Sequence, residues 1–142
     1  MNDIHFSSKN VNWSTPQTLF EDFDKIFKFG LDACASKENN KCLKYFTKEE
    51  NSLNQSWNFN NSNVWCNPPY GREIKSWIKK AYEESLSGIT VVMLVPARTD
   101  TSWWHDYCMK GHIKFLRRRL KFSNNKNNAP FPSAIIIFYG II

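Results

Sequence analysis

A chain of 142 residues, 42% of them hydrophobic and 15% aromatic, is long enough for one compact core and too short for a separate recognition domain, and it is not a disordered or fibrous composition. No apolar run approaches the ~20 residues of a membrane-spanning helix, and Met1-Asn2-Asp3-Ile4-His5 has no basic-then-apolar leader, so a cytoplasmic, membrane-free protein is expected. The formal net charge of +6 admits a phosphate-backbone partner without demanding one.

Residues 1–12 read as a flexible N-terminal extension to a single domain covering 1–142. Trp13-Ser14-Thr15-Pro16 is a helix entrance, with Ser14 or Thr15 as the cap and Pro16 in the first turn. Leu19, Phe20, Phe23, Ile26 and Phe27 then recur at helical spacing and are assigned to the core. The segment 29–32 reads as a short strand ending in the acid Asp32, followed by the small residues Ala33-Cys34-Ala35-Ser36. Residues 37–63 are polar, with Leu43, Tyr45, Phe46, Leu53 and Trp57 as anchors and a brief strand over 43–46.

A strand over 64–66 runs into Asn67-Pro68-Pro69-Tyr70, and Ile74, Trp77, Ile78 and Ala81 mark one face of a helix over 73–85. The apolar run 90–95 fits a central strand buried on both faces. A helix over 102–109, a strand over 113–116, a loop over 124–132 and a last strand over 134–139 complete the alternation of an α/β fold.

Cys34, Cys42, Cys66 and Cys108 form no Cys-x-x-Cys pair, so mostly buried free thiols are expected. His105, Cys108 and His112 have ligand-like spacing but no evident fourth partner, and no metal is assigned. Arg117, Arg118, Arg119 and Lys121, with Lys114 and Lys126 nearby, are either a solvated strand edge or contacts to nucleic-acid phosphates.

The tetrapeptide carries the most specific chemistry. Prolines fix φ and remove backbone donors, leaving rigid carbonyl oxygens. Beside them stand an amide oxygen at Asn67 and an aromatic ring at Tyr70. An exocyclic amino group is a natural guest: Asn67 and the Pro68 carbonyl can accept its two N–H bonds while Tyr70 covers the base. Pro-Pro after a strand is also a common turn, so the neighbouring pieces decide.

Those pieces are Trp13-x-Thr15-Pro16, Leu31-Asp32-x-Cys34-Ala35, Tyr45-x-Thr47 with Leu53 and Trp57, and the run from Trp65 to Gly71. They continue with the run from Leu94 to Thr101, Trp103-Trp104, Arg119-Leu120-x-Phe122 and the run from Ala129 to Ser133. In this order they resemble the phage-type DNA adenine methyltransferase (Dam-like) family from Trp13 to about Tyr139. The resemblance implies a compact, trimmed Rossmann-like methyltransferase sandwich with a mostly parallel central sheet and loops in place of some helices. It implies S-adenosylmethionine as methyl donor and an adenine amino group in DNA, flipped from the duplex, as acceptor.

On this resemblance Asn67, Pro68, Pro69 and Tyr70 are catalytic. Asp32, Ala33 and Ala35, with Trp13, Thr15, Pro16 and Glu50, take the cofactor, and Arg117, Arg118, Arg119 and Lys121 take DNA. Asp32 as a simple helix cap is the alternative at that position. Cytosine N4 as acceptor and a DNA-binding protein that has lost catalysis are the alternatives for the whole chain.

Overall fold

A computed structural model describes residues 11–141; the expected flexible extension falls outside the described residues for 1–10. Val11 and Asn12, assigned to the same extension, are instead held in place, the Val11 carbonyl accepting from Tyr70 N at 2.7 Å and the Asn12 carbonyl from Asn124 Nδ2 at 3.0 Å.

Helix α1 spans Gln17–Phe27 and buries Phe20 and Phe23. Pro16 itself occupies the N-cap position, with no side-chain cap, because Ser14 and Thr15 are engaged elsewhere. Ile26, expected in the core, is 73% exposed. Lys28 ends the helix in a left-handed conformation (φ 52°), and the chain passes at once into strand β1, Phe29–Asp32.

The next 30 residues contain no α-helix. They hold only strand β2 (Lys44–Tyr45) and two 3-10 turns, Lys48–Glu50 and Ser52–Asn54. Leu43, expected as an anchor, is fully exposed. Phe46 and Trp57 are buried as expected; Trp57 is completely so, its indole N–H donating to the Ser52 carbonyl and Oγ at 3.0 Å each and its backbone N–H to Glu84 Oε1 at 2.7 Å.

Strand β3 (Asn63–Cys66) precedes helix α2 (Ile74–Leu86), whose buried residues include Ile74, Trp77, Ile78 and Ala81, the face that periodicity predicts. Strand β4 (Val91–Pro96) is buried at every position. The expected helix after it is shorter: α3 covers Ser102–Asp106, and Cys108–Lys110 tightens into a 3-10 turn. Strands β5 (His112–Phe115) and β6 (Ser133–Phe138) follow.

The six strands form one sheet in the order β2-β1-β3-β4-β6-β5. The first three pairings are parallel, β6 is antiparallel to β4, and β5 is antiparallel to β6. Two reversals restore the direction, so every strand but β6 runs the same way. Cross-strand partners share a face of a sheet and successive residues alternate. Trp65, Val92 and Ile137 are therefore on one face and Val64, Val91 and Phe138 on the other. The Trp65 ring packs on Phe20 of α1 at 5.5 Å and the Phe138 ring on Tyr82 of α2 at 5.8 Å, which places the two helices on opposite faces.

Chain direction then fixes where chemistry can occur. From β1 the chain leaves to β2 on one side, while β3, on the other, leads away to β4. The crevice between β1 and β3 is a topological switch point, where open α/β sheets bind ligands outside the carboxyl ends of their strands. Asp32 ends β1 and Asn67 follows β3.

Candidate active site

A cavity of about 540 Å³ opens at that switch point, within the range of about 300–1,000 Å³ typical of small-molecule sites. Its walls include Asp32, Cys34 and Ala35 after β1, Asn67, Pro68 and Pro69 after β3, and Phe46, Thr47 and Leu53 from the loop beyond β2. Charges of both signs face it, Asp32 and Glu73 against Lys41 and Lys48.

The segment 11–15 crosses this edge of the sheet as a strap. Asn124 pins it with both ends of its side-chain amide, accepting from Ser14 N and donating to the Asn12 carbonyl, each at 3.0 Å. Ser123 adds a bond from its N–H to the Ser14 carbonyl at 2.9 Å and one from its hydroxyl to the Thr15 carbonyl at 3.1 Å. Trp13 is buried edge-on to Phe122 and Phe131. The strap thus joins the loop before β6 to the tetrapeptide.

Asn67 is held at both ends of its amide. Nδ2 donates to the Trp13 carbonyl and to Thr15 Oγ1, the latter at 3.0 Å. Oδ1 accepts from the Tyr70 hydroxyl at 2.6 Å, and the same hydroxyl lies 2.9 Å from the Leu94 carbonyl. Pro68 is buried, and its carbonyl accepts no hydrogen bond from the described residues.

Tyr70 differs from the sequence expectation. Its ring is 7% exposed, lies edge-on to Phe122 and Phe131, and is not part of the cavity wall, so here it packs inward rather than offering a face to a base. Burial holds its phenol well above the usual tyrosine range.

Asp32 is 3% exposed and begins no helix, which removes the helix-cap alternative. Its Oδ1 accepts from Cys34 N at 3.3 Å and its Oδ2 from Lys41 N at 3.0 Å. Burial raises its pKa from 3.8 to about 7, against the lowering pull of those two N–H groups and the Lys41 charge. The side chain therefore organises the 33–41 loop, and its carboxyl is poised to release its proton to solvent when a cation is placed beside it. Cys34 and Cys42 are pushed up to about 12, chiefly by burial, so neither is a thiolate nucleophile at neutral pH.

Of the other expected cofactor residues, Trp13, Thr15 and Ala35 reach the cavity wall. Pro16, Ala33 and Glu50 do not. Ala33 points into the core while its N–H bonds the Trp65 carbonyl at 2.9 Å. Glu50 is fully exposed and closes a capping box, accepting from Thr47 N at 2.9 Å and Thr47 Oγ1 at 3.1 Å, bonds that lower its pKa.

Arg117, Arg118, Arg119 and Lys121 are exposed. Because β5 runs parallel to β4, they leave the sheet at the same edge as Asn67. Arg98, after β4, lies over the Phe131 ring at 5.8 Å and adds a further exposed cation at this edge. His105, Cys108 and His112 do not converge: one His105 ring nitrogen lies 2.7 Å from the Thr99 carbonyl, Cys108 is buried, and His112 opens an edge strand. Among the described residues no group of three or more potential ligands could hold a metal ion.

Sequence reasoning did not assign Lys41, Phe46, Thr47, Ser52, Trp77 or Asn124 to the site. Thr47 belongs to a recognised motif piece, but Trp77 reads from periodicity as core alone. It is both: its ring is buried and lines the cavity, and its indole N–H is a buried donor with no acceptor among the described residues, a group that a polar ligand or ordered water would satisfy.

A model of the family described as DNA N-6-adenine-methyltransferase (Dam) matches residues 5–138 of the chain. A DNA N-6-adenine-methyltransferase of Escherichia phage T1 is 39% identical over 93 residues, 65% of this chain and 38% of the relative. A protein of the same description from Haemophilus phage HP1 (strain HP1c1) is 31% identical over 119 residues, 80% of this chain and 67% of the relative. The chain thus spans well under half of the phage T1 protein and two thirds of the phage HP1 protein.

Proposed function

Because this chain belongs to the DNA N-6-adenine-methyltransferase (Dam) family, we propose that it transfers a methyl group from S-adenosylmethionine to the exocyclic amino group of adenine in DNA. The observation that carries this reading is the position of Asn67 and Pro68 on the wall of the switch-point cavity whose other wall begins at Asp32. An acceptor site and a donor site then share one crevice. We read the sheet, with its helices on both faces, as a trimmed Rossmann-like methyltransferase sandwich.

The cavity suits the donor chemically. S-adenosylmethionine carries a sulfonium, an ammonium, a carboxylate and an adenosine, and the wall offers carboxylates, two lysines and the apolar surfaces of Phe46, Leu53 and Trp77. Asp32 would hold the cationic part, and the unpaired Trp77 N–H gives a polar ligand a donor. When bound, the cofactor supplies an electrophilic methyl whose C–S bond breaks as the new N–C bond forms.

The protein's task is to make the adenine nitrogen nucleophilic. Its lone pair is delocalised into the ring, so the planar amino group attacks poorly. Asn67 Oδ1, which keeps a second lone pair beyond its bond to Tyr70, and the Pro68 carbonyl accept its two N–H bonds. Held so, the nitrogen can pyramidalise and direct its lone pair at the methyl. The excess proton leaves to solvent. Neither a metal nor a covalent enzyme intermediate is required; positioning and fixed dipoles carry the rate. The base reaches this buried loop only by leaving the duplex, with the exposed basic residues after β5 gripping the backbone.

The test is incorporation of labelled methyl groups from S-adenosylmethionine into unmodified DNA, followed by nucleoside digestion. N6-methyladenine is expected, with turnover falling by about 10²–10³-fold in Asn67→Ala, as when a transition-state hydrogen-bonding group is removed. N4-methylcytosine, no incorporation, or full activity in Asn67→Ala refutes the assignment.

A further inference from the structure

Acceptance of an amino group depends on which end of the Asn67 carboxamide faces the base. Oxygen and nitrogen of such an amide are interchangeable in shape, so only hydrogen-bond partners can fix them. At one end stands the Trp13 backbone carbonyl, which can only accept, so the amide nitrogen must face it. Thr15 Oγ1 accepts from the same nitrogen at 3.0 Å. At the other end, the Tyr70 hydroxyl donates into a pair of acceptors, Asn67 Oδ1 at 2.6 Å and the Leu94 carbonyl at 2.9 Å. Turning the amide over would set Oδ1 against the Trp13 carbonyl, which can only accept, whereas the Thr15 and Tyr70 hydroxyls can each donate or accept. The carbonyl therefore sets the sense of the amide, and the two hydroxyls hold it in place. Thr15 and Tyr70 are both buried, where unmatched polar contacts are costly.

We propose that Thr15 and the Tyr70 hydroxyl are positioning groups that clamp the Asn67 amide with its oxygen toward the acceptor base. Tyr70 thus serves the reaction through its hydroxyl, and Thr15 serves the acceptor side of the site although it lies on the cavity wall. The inference rests on the functional reading above and adds a second role to each residue.

The experiment compares Thr15→Val, which keeps shape and removes the hydroxyl, with Thr15→Ser, which restores it, and Tyr70→Phe, which keeps the ring. Thr15→Val is expected to lower kcat by about 3–10-fold, the value of one hydrogen bond, beyond any change in cofactor Kd and with KM for DNA unchanged. Thr15→Ser recovers most of that loss, and Tyr70→Phe loses kcat by a similar or larger factor. Unchanged kcat in Thr15→Val, a loss seen only in cofactor affinity, no recovery in Thr15→Ser, or a fully active Tyr70→Phe overturns the proposal.

The second readout needs no turnover. In ¹⁵N-labelled protein the Asn67 side-chain amide protons should exchange with solvent more slowly in the wild type than in Thr15→Val, and equal exchange rates also overturn the clamp. An inactive wild type with protected amide protons would instead refute the methyltransferase reading while leaving the clamp standing. If Thr15→Val does not fold, Tyr70→Phe and the wild-type exchange rate decide.

Discussion

Replacing Asp32 by Asn isolates the energetic consequence of the most buried charge at this site. The carboxyl titrates near 3.8 when free and about 7 when folded, because burial opposes its ionisation more than two backbone N–H groups and Lys41 favour it. The folded state therefore binds the proton more tightly than the unfolded state. By linkage, the associated stability is fully present below about pH 4 and is lost as pH rises through about 7. At about 1.4 kcal/mol per pH unit, ionisation costs the fold about 4 kcal/mol above pH 7, of which about 2–3 kcal/mol accrues between pH 5 and pH 8. For a domain of this size that is a fall of about 8 °C in Tm.

An Asn keeps one acceptor oxygen and sets its NH2 against either Cys34 N or Lys41 N, a loss of about 1–3 kcal/mol that does not depend on pH. Thermal unfolding of both proteins without ligand should thus show the wild type clearly more stable at pH 5 and the two converging or crossing by pH 8. A wild type and a variant separated by the same interval at both pH values would refute the reasoning.

The same proton gives a ligand-linked signature. If the cationic part of S-adenosylmethionine meets Asp32, affinity should rise with pH up to about 7 and then level, and calorimetry in buffers of different ionisation enthalpy should register proton release below that point; no release would separate Asp32 from the cofactor. Affinity for duplex DNA should fall steeply with salt, and replacing Arg117 and Arg118 by Ala should flatten the log–log slope by about 2 if each makes one phosphate contact. An unchanged slope in a binding titration would return both to a solvated edge. Trp57→Ala should destabilise the protein by about 3–5 kcal/mol, the cost of emptying a buried tryptophan site, because that completely buried ring packs the 50s loop against Trp77 of α2; a loss below about 1 kcal/mol in urea unfolding would contradict the packing described for it.

Periodicity and chain punctuation carried most of the fold. The face Ile74, Trp77, Ile78 and Ala81 and the run 90–95 could be placed because 3.6-residue spacing and continuous apolarity each have one cheap solution in an α/β sheet. The errors fell where burial depends on neighbours distant in sequence. Ile26 obeys the helical period but lies exposed on α1, outside its buried face of Phe20 and Phe23, and Leu43 adjoins a two-residue edge strand and is fully exposed. Ser14 and Thr15 look like caps in isolation, yet Thr15 serves Asn67, 52 residues away.

By itself the sequence determined the residue types of the chemistry: an amide followed by two prolines, an acid after the first strand, small residues behind it, and arginines in a row. Those are local facts, set by backbone rigidity and side-chain functional groups. The tertiary structure alone decided how they meet. Strand order placed Asp32 and Asn67 on either side of a switch point, and the reversal through β6 brought the arginines to the same edge. The strap and the Tyr70 hydroxyl fixed the Asn67 amide from both ends, and packing turned the Tyr70 ring inward. Orientation of an amide and the proton on a buried carboxyl depend on partners brought together by folding, and no local pattern encodes them.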